Sequence, residues 1–442
     1  MTHDRFMTIP LLVLSLFSIG NPPPCHAREP KPQSSSDLHS RLNTLTGVMV
    51  RKIEPLPGFK EGFEIAVVQP VDHHHPEGAR FTQRAFISHR DYSRPVVLET
   101  EGYGVAWPKE REAARLLNAN QIIVEHRYYE SSRPNPLDWT YLTSWQAASD
   151  HHRVIQLLRK IYPGNWVTSG KSKGGMAALF HRCYYPGEVE ATIAYAAPII
   201  LGPTDPRFES FLNSAGDESS RDKIRRFQKA CLERRNELLP LLRAHSEKRR
   251  LSFPGDLEGI LERTVVEFPY AFWSGNRKSD DLPSPDAPAE RLFEFLDTVR
   301  PVSGLSNAAL RYNAALYYQQ ATELGFHGYP TSHLAGLLRI EKDPGFSFYV
   351  PRDAAKGVFN KDVMPRILDY LQREGNNIIY LYGELDIWTA GAVALTGRTN
   401  ALRLIVKGKG HHFTIRDLPA GEKGKVFAAL EDWLQIRIAE NR

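Results

Sequence analysis

The sequence predicts an α/β fold in which an open, mostly parallel sheet is flanked by helices and interrupted by a large helical insertion. Three observations lead there. Short apolar runs recur at 95–98, 121–124, 166–168, 191–195, 378–382 and 402–406, the pattern of strands buried on both faces of a parallel sheet. Helical patterns at 144–161, 173–184 and 423–438 alternate with them, as α/β architectures require. The alternation lapses between 201 and 358, where helical patterns and a Pro-rich break at 283–288 occur without strands.

Taken in order, residues 1–27 read as a secretory signal peptide. Arg5 supplies a short basic start, 6–19 is an apolar stretch too short to span a bilayer comfortably, and Ala27 ends an approximate small-residue cleavage site. The expectation is a secreted or periplasmic protein without stable membrane insertion. Three prolines precede Cys25, which argues against lipid attachment there. Residues 28–59 form a lead-in, and its Ser-, Pro-, Lys- and Gln-rich part, 28–45, reads as disordered. The core then runs over 60–200 and 359–442, with the insertion at 201–358 as a cap. Runs at 63–70 and 81–88 predict antiparallel strands joined by a loop that carries His73, His74 and His75. The charged 221–250 segment, with interleaved Asp and Glu, reads as a solvated helix face.

Composition excludes several function classes. The 442 residues are 42% hydrophobic and 24% charged, so the chain can bury a large core. The formal charge of +5, from 56 Lys plus Arg against 51 Asp plus Glu, is too small and scattered to predict a nucleic-acid partner. Three cysteines without CxxC spacing form neither a zinc ribbon nor a thioredoxin-like site. Cys183 and Cys231 remain after signal removal, as a disulfide or as separate thiols. Consecutive histidines rarely converge on one ion, so no metal is expected at 73–75. No Gly-rich phosphate loop follows a strand, so no cofactor is expected.

Chemistry enters at Gly170-Lys171-Ser172-Lys173-Gly174, a G-x-S-x-G pattern between the 166–168 strand and the 173–184 helix. Small residues permit the sharp turn that pushes a serine out of the backbone, which makes Ser172 the candidate nucleophile. A serine hydroxyl needs a base, and the base needs an orienting acid. In the chain order of an α/β-hydrolase these follow two late strands: Asp386 after 378–382, and His411 after 402–406. Glu384 and His412 are the neighbouring alternatives. The oxyanion donors fall to the Lys173 N–H and to that of Gly102 or Tyr103, in the Gly-rich loop after 95–98.

The blocks Gln69-Pro-Val-Asp-His73, Glu125-His-Arg-Tyr-Tyr129, Gln146-Ala-Ala-Ser-Asp150, Gly170-Lys-Ser-Lys-Gly-Gly175, Ala194-Tyr-Ala-Ala-Pro198 and Tyr382-Gly-Glu-Leu-Asp386 occur in sequence over most of 60–420. Together they resemble the secreted prolyl tri/tetrapeptidyl aminopeptidases and, more distantly, prolyl carboxypeptidase and dipeptidyl peptidase II. The resemblance implies a serine exopeptidase with a helical cap, acting on peptide substrates after proline near a free N-terminus, with Ser172, Asp386 and His411 as its triad. Glu101, Glu125 and Glu323 are candidate partners for the substrate ammonium. Tyr103, Phe272, Trp273 and Trp388 are candidate walls of a proline pocket. Two positions depart from the family pattern: Lys171 replaces a hydrophobic or aromatic residue, and Ile387 a proline. The triad alone also fits an esterase, a lipase or an inactive binding protein on the same fold, and neither oligomeric state nor peptide length is written in the sequence.

Overall fold

The computed structural model describes residues 37–340, 348–351 and 358–438, so the signal-peptide reading lies outside the described residues. Among the described residues nine strands form one sheet: β1 (Val48–Ile53), β2 (Glu61–Pro70), β3 (Arg80–His89), β4 (Val96–Thr100), β5 (Asn120–Val124), β6 (Trp166–Lys171), β7 (Ala191–Tyr195), β8 (Ile378–Gly383) and β9 (Leu402–Val406). Their spatial order is β1-β2-β3-β5-β4-β6-β7-β8-β9. β1 to β3 are antiparallel, β3 joins β5 antiparallel, and every pair from β5 to β9 is parallel. This is the α/β-hydrolase fold, and each strand run anticipated from the sequence is present.

The helices of the core are α1 (Leu38–Asn43), α2 (Glu112–Leu116), α3 (Ser144–Leu158) and α4 (Lys173–Tyr184). Between β7 and β8 come α5 (Pro206–Leu212), α6 (Glu218–Glu233), α7 (Arg235–Arg249), α8 (Leu257–Ser274), α9 (Ala289–Val299), α10 (Asn307–Tyr312) and α11 (Ala314–Gln319), then α12 (Val363–Arg373). After β9 the chain closes with α13 (Ala420–Leu434). Alternation along β8 explains the layering, because successive side chains leave a strand on opposite faces. Ile378, Tyr380 and Tyr382 pack with Met176 and Leu179 of α4 and Leu371 of α12. Ile379 and Leu381 pack with Val426, Leu430 and Leu434 of α13 on the other face. α5 to α9 enclose a separate apolar cluster built on Phe227, Leu238, Phe268 and Leu296, which reaches the core at Ile387 and Ile200.

Several expectations are corrected. Residues 37–53 are folded: Asp37 caps α1 by accepting from the Ser40 N–H at 2.8 Å, Leu38 and Leu42 are buried, and β1 pairs along β2. Leucines on one face of α1 and the apolar rim of β1 have a core to join, which overrides the polar composition around them. The 221–250 segment is two helices rather than one solvated face, and it buries Ile224, Phe227, Cys231, Leu232, Leu238 and Leu242. The histidine loop is exposed only in part. His73 Nε2 lies 2.7 Å from Asp150 Oδ1, and His74 stacks on Trp145 with ring centroids 3.8 Å apart.

That histidine belongs to a buried lock. Arg127 meets both carboxylate oxygens of Asp150, at 2.7 and 2.8 Å, and also donates to the carbonyls of Val71, Tyr141 and Pro70. A two-pronged guanidinium pair of this kind fixes orientation as well as charge. It ties the end of β2, the segment after β5 and helix α3 together, so three of the sequence blocks named above meet in one structural network. Cys183 and Cys231 are separate free thiols, and burial pushes them up to about 11 and about 12.

Candidate active site

Ser172 sits where β6 turns into α4, with φ 58° and ψ −126°. A non-glycine residue pays strain for that conformation, and it persists because the surroundings over-determine it. The Ser172 N–H donates to the Tyr195 carbonyl at 2.8 Å, and the Met176 N–H donates to the Ser172 carbonyl at 2.9 Å. Glycines permit the turn: a Cβ on Gly170 would fall 2.4 Å from the Gly174 carbonyl, and one on Gly174 only 2.3 Å from the Thr100 oxygen. Backbone hydrogen bonds therefore hold the turn that carries the serine, at the carboxyl end of a central strand.

Asp386 and His411 come from the next two strand ends. Asp386 is fully buried, and its Oδ2 lies 2.8 Å from His411 Nδ1. Its Oδ1 accepts from the Trp388 N–H at 3.4 Å, which fixes the carboxylate plane. Glu384 is exposed and accepts from the Gly408 N–H at 2.7 Å, so it braces the turn before the histidine instead of meeting the imidazole. His412 is exposed on its outer side, and partial desolvation together with the Lys171 charge holds its imidazole below the ordinary range.

The loop after β4 is stapled to the serine turn. Thr100 Oγ1 donates to the Ser169 carbonyl at 3.0 Å and to that of Gly174 at 2.8 Å. A Cβ on Gly102 would lie 2.5 Å from Lys173 Cβ, so the two backbones can approach only because residue 102 is glycine. Lys173 Nζ donates to the Gly102 carbonyl at 2.7 Å, and a trans peptide then points the Tyr103 N–H the opposite way. The Lys173 side chain is buried, which holds its ammonium well below the usual lysine range, against the pull of Glu323. Burial pushes the Tyr103 phenol up to about 12, partly offset by its hydrogen bond with Ser172. The Lys173 N–H opens α4 and has no carbonyl one turn earlier to serve.

A small cavity of about 40 Å³ reaches Ser172 and is walled by Tyr103, Met176, Pro198, Leu316, Leu324 and Trp388. Sequence reading found Tyr103 and Trp388 and missed Leu316 and Leu324, which come from the helical insertion. Phe272 and Trp273 are corrected: both belong to the interior of the cap cluster. The roomier cavity, about 510 Å³, lies elsewhere, lined by Asp72, Trp145, Tyr184, Arg366 and Glu323.

The three proposed ammonium partners already have partners within the chain. Glu101 pairs with Arg111, and burial raises it. Glu125 is fully buried, paired with Arg84, and accepts from the Val105 N–H at 2.9 Å and Ser132 Oγ at 2.7 Å. That arrangement corrects its candidacy, because no carboxylate oxygen is left to face a ligand. Glu323 accepts from the Ser144 N–H, and burial pushes it up to about 7. Lys171 turns toward Phe413, its Nζ 4.9 Å from the ring centroid, and lines neither cavity.

A strained serine at the end of β6, with an aspartate after β8 bonded to a histidine after β9, defines a serine hydrolase of the α/β-hydrolase class. The chain belongs to the peptidase S37 family, whose description, PS-10 peptidase S37, matches residues 29–442, and it is a serine peptidase. It is 31% identical over 413 residues to the prolyl tri/tetrapeptidyl aminopeptidase of Streptomyces mobaraensis, covering 91% of this chain and 86% of that one. It is 31% identical over 156 residues to mouse lysosomal Pro-X carboxypeptidase, covering 30% of this chain and 31% of that one. Proline iminopeptidase from Mycobacterium smegmatis overlays with a TM-score of 0.40 at 12% identity, covering 84% of this chain and 98% of that one.

Proposed function

We propose that the chain is a prolyl tri/tetrapeptidyl aminopeptidase that cleaves after proline near a free N-terminus, with Ser172 as nucleophile, His411 as base and Asp386 as orienting acid. The near full-length likeness to the Streptomyces mobaraensis enzyme carries this reading. The bond from His411 Nδ1 to Asp386 leaves Nε2 as the ring atom that accepts the Ser172 proton. Attack on the proline carbonyl then forms a tetrahedral oxyanion, and the N–H groups of Lys173 and of Tyr103 or Gly102 are its donors. Collapse expels the amine, which takes its proton from the imidazolium. Water repeats the cycle on the acyl-enzyme.

The apolar cavity beside Ser172 suits a proline ring, which has no N–H to satisfy. Residues 201–358 act as a cap that limits how much peptide can extend beyond the site, and Glu323 is the carboxylate assigned to the substrate ammonium because its chain neighbours Gln320, Leu324 and Gly325 line the serine cavity. Residues 1–27 direct export. The test is chromophore release from proline-terminated tri- and tetrapeptide anilides with free and blocked N-termini, for wild type and Ser172→Ala. Cleavage of the free-amine substrates alone, abolished by the substitution, is expected. No cleavage by a folded wild-type chain would overturn the substrate class.

A further inference from the structure

The loop that carries His411 is gripped from two sides. On the core side, the Leu385 N–H donates to the Lys409 carbonyl at 2.8 Å, and a Cβ on Gly383 would fall 2.2 Å from the Gly410 oxygen. On the cap side, the His411 N–H donates at 2.8 Å to the carbonyl of Ser274, the last residue of α8. The Gly410 N–H donates to Asn276 Oδ1, and Asn276 Nδ2 donates to the His412 carbonyl at 3.4 Å. A Cβ on Gly410 would stand 2.1 Å from the Trp273 oxygen, so cap backbone and base loop touch with nothing between them.

These contacts satisfy a standing requirement of α8. Carbonyls in the last turn of a helix have no partner within it, and here the Ser274 carbonyl is met by the His411 N–H. Asn276 holds φ 57°, a conformation that asparagine, aspartate and glycine adopt more readily than other residues. The same helix reaches the cavity at Ser172, since Tyr270 meets Trp388 edge-on with centroids 5.6 Å apart and Trp388 lines that cavity. One cap helix therefore contacts both the wall of the serine cavity and the backbone of the base.

We infer that Asn276 and the carboxyl end of α8 position His411, so that the cap seats the backbone that carries the imidazole while Asp386 sets the ring's rotation and tautomer. Asn276 is a positioning residue: it acts through the 410–412 backbone and touches no reacting atom. The inference rests on the reading of His411 as the base.

Asn276→Gly keeps the backbone conformation and removes both amide contacts, whereas Asn276→Asp keeps the Oδ1 acceptor for the Gly410 N–H. The expected result for Asn276→Gly is a loss of about tenfold or more in kcat and in the rate at which a fluorophosphonate labels Ser172, with KM nearly unchanged, because a small misplacement of a catalytic group is costly. Asn276→Asp recovers most of the loss. Wild-type rates in Asn276→Gly, a loss that Asn276→Asp does not recover, or a loss carried by KM would each overturn the inference. His411→Ala separates the two readings. If it labels at the wild-type rate, the base assignment is wrong; if it is inert while Asn276→Gly is wild type, only the cap clamp is wrong.

Discussion

The sheet and the cap place side chains by different means. In the sheet, β4 to β8 are buried almost throughout, each strand is fixed by ladders on both sides, and the residues proposed as reactive stand beyond strand ends. In the cap, helices bury one stripe each and supply apolar walls, with few polar groups directed at the serine. Backbone ladders give positions that hardly depend on side-chain identity, whereas helix packing gives surfaces whose shape depends on every residue. The serine turn and the aspartate are therefore set by the sheet, whereas the cap adds walls to the cavity that reaches them and grips the histidine loop.

The largest expected effect lies at the sheet end. Asp386→Asn retains the shape but cannot hold the required imidazole tautomer, so kcat should fall by about 10⁴ with KM little changed; steady-state kinetics on a cleaved peptide anilide measures both. A loss confined to KM would assign Asp386 to binding. Next comes the cap interior, where Phe268 is fully buried among Phe227, Phe272 and Phe295. Phe268→Ala should cost about 3–5 kcal/mol in a urea melt. A loss below about 1 kcal/mol would mean that the cap is not packed as a core of its own.

The smallest effect concerns Glu99, in the middle of β4 and buried, with Oε2 unpartnered among the described residues. Burial raises its carboxyl to about 7 from an ordinary 4.5, against the pull of Arg111. The folded chain thus keeps a proton between those values that the unfolded chain releases. Stability from this group is complete below pH 4.5, declines as pH rises to about 7 and is flat above. Glu99→Gln should match wild type at pH 4.5 and exceed it at pH 8, by up to about 3 kcal/mol. Parallel pH profiles of the two proteins would contradict the shift.

The same contrast separates what was legible in the sequence from what was not. Strand runs such as 378–382 announce themselves because burial on both faces removes every polar residue, and Ser172 and Asp386 could be proposed because each stands just past a buried strand, whereas His411 follows β9, with Arg403 and Ile405 exposed, and was proposed from its place in the chain order. β1 was lost because it is an edge strand with exposed Met49, Arg51 and Lys52, which dilutes the signal. Helical periodicity in 201–358 indicates which stripe is buried but not against what, so Leu316 and Leu324 could not be assigned to the serine cavity. Glu125 looked like a functional carboxylate because it opens a recognisable block, although that block is held together by Arg84, Arg127 and Asp150. Asn276 carries no signal at all, since its partner Gly410 lies 134 residues away.

That separation has a consequence for how the molecule comes together. The serine turn is complete once β6, β7 and the β4 loop are in place, all within the first half of the chain. The grip on residues 410–412 can close only after the cap has folded back and the last strand has joined the sheet. Contacts between distant residues carry a loop-closure cost and form late when no nearby contact precedes them. Refolding should therefore restore the serine turn before it restores turnover, and recovered activity reports the arrival of the final strand rather than the collapse of the chain.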